Sequence, residues 1–76
     1  MIEFEVGDEV HHAKPNPPTF GLLSMVSRLA RGGYTRSERE ENAVSVLLES
    51  IDGAPPEEAP VNVQWKAVVA AVSFFN

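Results

Sequence analysis

The chain begins with a short alternation of apolar and acidic residues, IEFEV, at positions 2–6. A period of two residues predicts a β-strand with one buried and one wet face. Gly7-Asp8 then favours a tight type II′ turn into a second strand, EVHHA. A two-residue loop would pair Val6 with Glu9, whereas a three-residue loop would pair Val6 with Val10. The pattern therefore predicts a hairpin and leaves its register open.

Three prolines follow within KPNPP, at positions 14–18. They lack backbone donors and restrict the residues before them, so we predict a stiff connector after a hairpin that occupies residues 1–13. Thr19 then provides an N-cap for a first helix, FGLLSMVSRLAR, whose apolar residues recur at helical spacing. Gly32-Gly33 is expected to end this helix.

Two more helices are predicted in the remaining chain. The second, SEREENAVSVLLESI, has overlapping capping signals at Thr35 and Ser37 and is expected to stop at Asp52-Gly53. APPEEAP is predicted to be a loop that does not pack, and Asn62 to cap the third helix, VQWKAVVAAVSFF. The predicted fold is mainly α, with an N-terminal β-hairpin followed by three short helices in a small bundle. It forms one domain, residues 1–76, with the three-helix region in residues 19–76.

Composition narrows the classes of partner. Six Lys and Arg against eleven Asp and Glu give a net charge of -5, which disfavours nucleic acid and anionic membranes. The N-terminus is acidic where a secretory signal is basic, and the apolar stretch at 61–75 is shorter than the roughly 20 residues of a membrane span. We expect a cytoplasmic protein. A domain this small buries little core and gains from oligomerisation or docking.

Candidate chemistry is sparse. His11 and His12 are neighbours on a strand, point to opposite faces, and have no further His or Cys to complete a metal site. We interpret them as surface or strand-packing residues. No nucleophile elbow or phosphate-binding loop is present, so we predict no enzymatic activity, no metal and no cofactor.

A basic segment surrounds the predicted turn between the first two helices, with Arg28, Arg31, Arg36 and Arg39 on either side of Tyr34. One interpretation is a polar contact with an anion or an acidic partner. The other is complementarity with the helix dipole and pairing with nearby glutamates. We favour the second, because the rest of the molecule is acidic and offers little aromatic surface for base stacking.

The last helix remains apolar to its end, at Phe74 and Phe75. Two adjacent helical positions lie about 100° apart and do not share one narrow stripe. We therefore predict that at least one of the two phenylalanines lies outside the core or in an interface. The apolar stripe of this helix consists of Trp65, Val68, Val69 and Val72, and Phe75 extends it.

The order of elements resembles that of the tail assembly chaperones of long-tailed bacteriophages. The resemblance covers most of the chain as a pattern: IEFEV, a proline connector, PTFGLLSMVSRLA, AVSVLLESI and the closing VNVQWKAVVAAVSFF. It implies a non-enzymatic protein that associates with itself and with a long tape-measure protein, whose apolar helices it keeps from aggregating. The last helix would then be the docking element, and its predicted docking face consists of Trp65, Val68, Val69, Val72, Phe74 and Phe75.

Two alternatives stay open from the sequence. One is a structural or adaptor subunit of a phage particle, in which the same helix is permanently buried. The other is a small acidic inhibitor of a host protein, with contacts from Glu38, Glu40, Glu41, Glu57 and Glu58. An electrostatic inhibitor would release its partner in high salt, whereas apolar docking would survive it.

Overall fold

The protein is an α+β domain, and the prediction of a mainly α fold is wrong. The computed structural model describes residues 1–32 and 38–76. The elements in chain order are β1 (Ile2–Val6), β2 (Glu9–Pro15), α1 (Phe20–Gly32), α2 (Glu38–Leu47), β3 (Leu48–Ile51), a 3₁₀ turn (Pro56–Glu58) and α3 (Val61–Phe75). The three strands form one antiparallel sheet in the order β1-β2-β3. α3 packs against β1, and α1 and α2 pack against α3.

The predicted hairpin is present, and its register is that of the two-residue loop. Val6 lies opposite Glu9, and Phe4 lies opposite His11. Gly7, at the first loop position, has a φ of 64°, and no other residue of this hairpin has a positive φ. That combination is a type II′ turn, whose twist matches the flanking strands. The three-residue alternative would usually place Glu9 in the left-handed region, which costs a non-glycine residue about 1–2 kcal/mol.

The segment predicted as the end of the second helix is instead the third strand. α2 ends at Leu47, and β3 begins at the next residue and pairs with β2, with Ala13 opposite Ile51. The apolar positions of LLESI fit a helical stripe, so the local pattern did not separate the two structures. Pairing with β2 decides between them, because an isolated two-stranded hairpin is marginally stable and a third strand satisfies backbone groups along β2.

Asp52-Gly53 forms a hairpin-type turn after β3. Asp52 has a φ of 53° and Gly53 a φ of 81°. The N–H of Ile51 donates to the carbonyl of Ala54 at 2.9 Å, and the N–H of Ala54 donates back at 3.0 Å. Positive φ at both loop residues is the type I′ turn that Asp-Gly favours. The same dipeptide that was predicted to stop a helix therefore reverses a strand.

β2 extends to Pro15, two residues beyond the predicted limit of the hairpin. The ladder with β3 is irregular between Lys14 and Pro15, where Pro15 lies opposite Leu48. Proline has no N–H to donate, and it is tolerated at a strand end or bulge. The stiff connector is therefore shorter than predicted, since its first two residues belong to the sheet.

Asn16 joins the sheet to the end of α2. Its backbone N–H donates to the carbonyl of Leu47 at 3.0 Å. Its side-chain Nδ2 donates to the carbonyls of Ser45 and Val46 at 3.1 and 2.9 Å. The last carbonyls of a helix have no partner within the helix, so Asn16 satisfies three of them from outside. This explains why α2 can end abruptly before a strand.

The core lies between the inner face of the sheet and the three helices. α3 packs against β1 and α2, and Ala67 and Ala71 on its inner side are fully buried. Their small side chains allow the helix to approach its neighbours closely. The other buried apolar residues are Ile2, Phe4, Ala13, Leu22, Val26, Ala43, Val44, Leu47, Leu48, Ile51, Val63, Val68 and Val72.

The segment before α3 packs more closely than predicted. Pro56 is buried, and Ala59 packs partly against the core. α3 begins directly after Pro60, so Asn62 lies inside the first turn and is not the N-cap. The side chain of Gln64 donates to the carbonyl of Ala59 at 2.7 Å, which fixes the chain as it enters the helix. The prediction of an unpacked loop is wrong here.

Thr19 caps α1 as predicted, because its Oγ1 accepts a hydrogen bond from the N–H of Leu22 at 3.1 Å. Replacing Thr19 with alanine is expected to lower the free energy of unfolding by about 0.5–2 kcal/mol. Replacing it with serine, which keeps the acceptor, should change little. Urea denaturation of both variants checks this, and equal losses for the two would contradict the capping role.

Candidate functional site

The predicted docking residues of α3 do not share one exposed face. Val68 and Val72 are buried in the core, and Trp65 is half-buried. They are buried because α3 faces the sheet on one side and α2 on the other, so a wide arc of the helix is covered. The docking face is therefore narrower than predicted, with Val69 and Phe74 exposed and Phe75 half-buried.

The two terminal phenylalanines divide between core and surface. Phe75 packs against the core, while Phe74 is 55% exposed. Their rings meet edge to face, with centroids 5.2 Å apart, a favourable aromatic geometry. The prediction that at least one of them lies outside the core is confirmed. Phe74 is thus an exposed aromatic ring held in place by a partly buried one.

A second exposed apolar site lies on α1 and was not predicted. Phe20 is 92% exposed, and Leu23, one turn later, is also exposed. At 100° per residue Phe20 lies about 160° from the buried Leu22, on the outer side of the helix. The sequence signal was available, since Phe20 falls outside the stripe formed by Leu22, Val26 and Leu29.

The basic segment is only partly described. Arg28 and Arg31 are exposed on α1. Tyr34 and Arg36 lie outside the described residues, and so does the side chain of Arg39, whose backbone belongs to α2. The candidate polar contact therefore stays a prediction, as does its alternative as a complement to the helix dipole.

The two histidines lie on opposite faces of β2, as predicted for neighbours on a strand. His11 stacks on Phe4, with ring centroids 5.6 Å apart. His12 lies on the outer face, where its Nε2 is 3.2 Å from Oε2 of Glu3. The outer face also carries the exposed Val10 and an ion pair between Lys14 and Glu49 at 2.9 Å. Exposed pairs of this kind contribute about 1 kcal/mol at most.

His11 has a partner that was not predicted. Its Nδ1 lies 2.6 Å from Oδ2 of Asp52, in the turn after β3. The hydrogen bond to Asp52 raises the pKa of His11 above its ordinary value, against an opposing effect of desolvation. The pKa of Asp52 is lowered, first by the hydrogen bond from His11 and second by one from the backbone of His12. The two residues are far apart in sequence, so no local pattern reveals the pair.

An open groove borders the turn after β3 and the end of α2. Ser45 donates to Oε2 of Glu57 at 3.2 Å across it. The other lining residues include Asn16, Glu49, Ser50, Pro55 and Pro56. Asn16 is already engaged by the carbonyls of α2, and of the two lining carboxylates Glu57 accepts a hydrogen bond from Ser45 and Glu49 pairs with Lys14. The hydrogen bonds of the groove therefore connect α2 with the residue after β2 and with the 3₁₀ turn.

Within residues 1–32 and 38–76 no group of three His, Cys, Asp or Glu side chains is placed to hold a metal ion. Nor is any helix of that part of the chain both long and apolar enough to cross a membrane. Comparison of the chain with protein-family models, with curated proteins and with solved structures found no match.

Proposed function

We propose that this protein is a non-enzymatic protein-binding module of the tail-assembly-chaperone type, which self-associates and docks apolar helices of a tape-measure-like partner. It would act in the cytoplasm, that of the host cell if it is viral. The observation that carries the proposal is the exposure of Phe20 and Phe74 on a domain whose other phenylalanine and tryptophan rings are at least partly covered wherever the structure describes them.

The energetics favour covering these rings. Burying a phenylalanine side chain stabilises by about 1.5–3 kcal/mol relative to leaving it in water, and aromatic residues are enriched at the centres of interfaces. A domain of 76 residues has little stability of its own to spare. Docking at Phe74, with Leu23 and Phe20 as a second contact, would add to both affinity and stability.

The shape of the surface favours a helix over a strand as the occupant. The exposed rings are on helices, at the start of α1 and the end of α3. Of the two edge strands, β1 carries the exposed Glu3 and Glu5, and β3 carries the exposed Glu49. Charges on an edge strand disfavour strand addition, whereas an apolar helix can lie along exposed helix side chains.

Binding to a synthetic amphipathic peptide with one leucine-rich helical face tests the proposal. We expect Phe74→Ser to weaken binding at least tenfold at about 0.5 M salt, where screening acts within several Å. Val10→Ser is the matched control, because Val10 is 53% exposed on the outer face of the sheet. Fluorescence anisotropy of the labelled peptide measures both affinities.

Equal affinity of wild type, Phe74→Ser and Val10→Ser would overturn docking at the end of α3. Loss of binding on raising the salt from about 0.05 to 0.5 M would instead favour the acidic-inhibitor alternative. Sedimentation equilibrium of the wild type and of Phe20→Ser tests self-association separately. A wild type that is still monomeric at about 0.1 mM would bind itself only with a dissociation constant above that concentration, and self-association would then be removed from the proposal.

A further inference from the structure

The contact between His11 and Asp52 ties two separate hairpins together. Asp52 belongs to the turn after β3, and His11 to the central strand. Besides the bond to His11 Nδ1, Asp52 accepts a hydrogen bond from the N–H of His12 at 2.9 Å through Oδ1. Its own N–H donates to the carbonyl of His12 at 2.7 Å. One residue of the turn thus makes three bonds to β2.

Both ring nitrogens of His11 face carboxylates. Nδ1 lies 2.6 Å from Asp52, and Nε2 lies 3.5 Å from Oε1 of Glu9. Nε2 is shielded from water and makes no hydrogen bond in this geometry. A carboxylate oxygen only accepts hydrogen bonds, and a neutral imidazole has only one N–H. Only the protonated ring offers a proton to each carboxylate.

No other described charge competes for this site. The charged groups that act on His11 are Asp52 and Glu9. The stacked ring on β1 is Phe4, which is uncharged. Along α3, which packs against β1, the only ionisable side chain is Lys66. On β3 the only ionisable side chain is Glu49, which forms an ion pair with Lys14.

We propose that His11 and Asp52 form a pH-sensitive latch, closed by a protonated His11, that holds the turn after β3 against β2. When His11 loses its proton, the turn keeps its two hydrogen bonds to the backbone of His12, and the neutral ring can donate its one N–H to Asp52 or towards Glu9 but not to both. The contact with Asp52 is then no longer between opposite charges, so the turn opens more often. The latch is independent of the docking proposed for α1 and α3.

The direction of the pH dependence follows from the two groups. The pKa of His11 is raised above 6.5 by Asp52, so its contribution to stability is complete below pH 6.5 and is lost as the pH rises through the folded-state value. The pKa of Asp52 is lowered below 3.8 by His11. Its contribution is present above pH 3.8 and is lost as the pH falls through the folded-state value. The latch is therefore strongest between these limits.

Amide hydrogen exchange read by NMR tests the latch, with the intrinsic pH dependence of exchange divided out. The reporters are the N–H groups of Asp52 and Ala54, which bond to His12 and Ile51. We expect their protection in the wild type to fall several-fold between pH 5.5 and 8, in step with the titration of the His11 ring. In His11→Gln and in Asp52→Asn this pH dependence should vanish, while His12→Gln should retain it.

Two results would overturn the latch. One is a wild type whose Asp52 and Ala54 protection does not change across the His11 titration. The other is loss of the pH dependence in His12→Gln, which would assign that dependence to His12 on the outer face of the sheet. The titration of the His11 ring in the wild type does not depend on any variant folding, and a ring that titrates at or below its ordinary pKa would also contradict the proposal.

Discussion

Replacing Leu47 with alanine is expected to leave the protein largely unfolded at 25 °C. Leu47 is 0% exposed at the junction of α2 and β3. Truncating a buried leucine costs about 2–5 kcal/mol in transfer and cavity terms. A domain of this size rarely has more than about 3–5 kcal/mol to lose. The loss therefore approaches the whole stability of the fold.

Circular dichroism with urea titration measures this effect. Val46→Ala is the matched control, since Val46 is the preceding residue, is 37% exposed and removes apolar volume from the same helix. We expect that control to change the free energy of unfolding by about 1 kcal/mol or less. If the two variants were equally stable, Leu47 would not be the packed junction that the structure describes.

Replacing glycine with alanine is expected to have opposite effects on the free energy of unfolding at Gly53 and at Gly21. Gly53 has a φ of 81°, and a Cβ there would meet no atom within 4 Å. Gly53→Ala therefore isolates backbone strain and is expected to destabilise by about 1–2 kcal/mol. Gly21 lies in α1, where an added Cβ would likewise meet open space. Gly21→Ala is expected to stabilise by about 0.5–1 kcal/mol through helix propensity.

Thermal and urea unfolding of these two variants give the comparison directly. A difference of about 2 kcal/mol between them would support a positive φ at residue 53, as the turn at Asp52-Gly53 requires. Equal stabilities would mean that residue 53 does not need a positive φ, which would contradict the turn that the structure places at Asp52-Gly53.

The elements that the sequence predicted well are those with local signals. The alternation of residues 2–6, the Thr19 cap and the helical spacing of α3 each follow from neighbours in the chain. β3 was missed because LLESI carries a spacing compatible with a helix. Asp52-Gly53 was the available signal, since Asp-Gly favours a hairpin turn as strongly as it ends a helix.

The candidate sites also divide into those that a local sequence pattern predicts and those that depend on tertiary packing. Exposure of one terminal phenylalanine followed from helix geometry, and Phe20 could have been found from its position opposite the stripe of α1. Burial of Val68 and Val72 depends on how widely the sheet and α2 cover α3, which no local pattern gives. The contact between His11 and Asp52 requires β3 to pair with β2. Because this segment was predicted as the end of a helix, the contact was not predicted either.

The hydrogen bonds from Asn16 to the end of α2 have a consequence for the order of folding. β1 and β2 are adjacent in the chain and can close as a hairpin within microseconds. β3, the second neighbour of β2 in the sheet, follows β2 only after some thirty further residues. The end of α2 that Asn16 caps lies about equally far along the chain. Such distant pairings slow folding. During synthesis, one edge of β2 therefore has no hydrogen-bonding partner until residues 45–51 have left the ribosome.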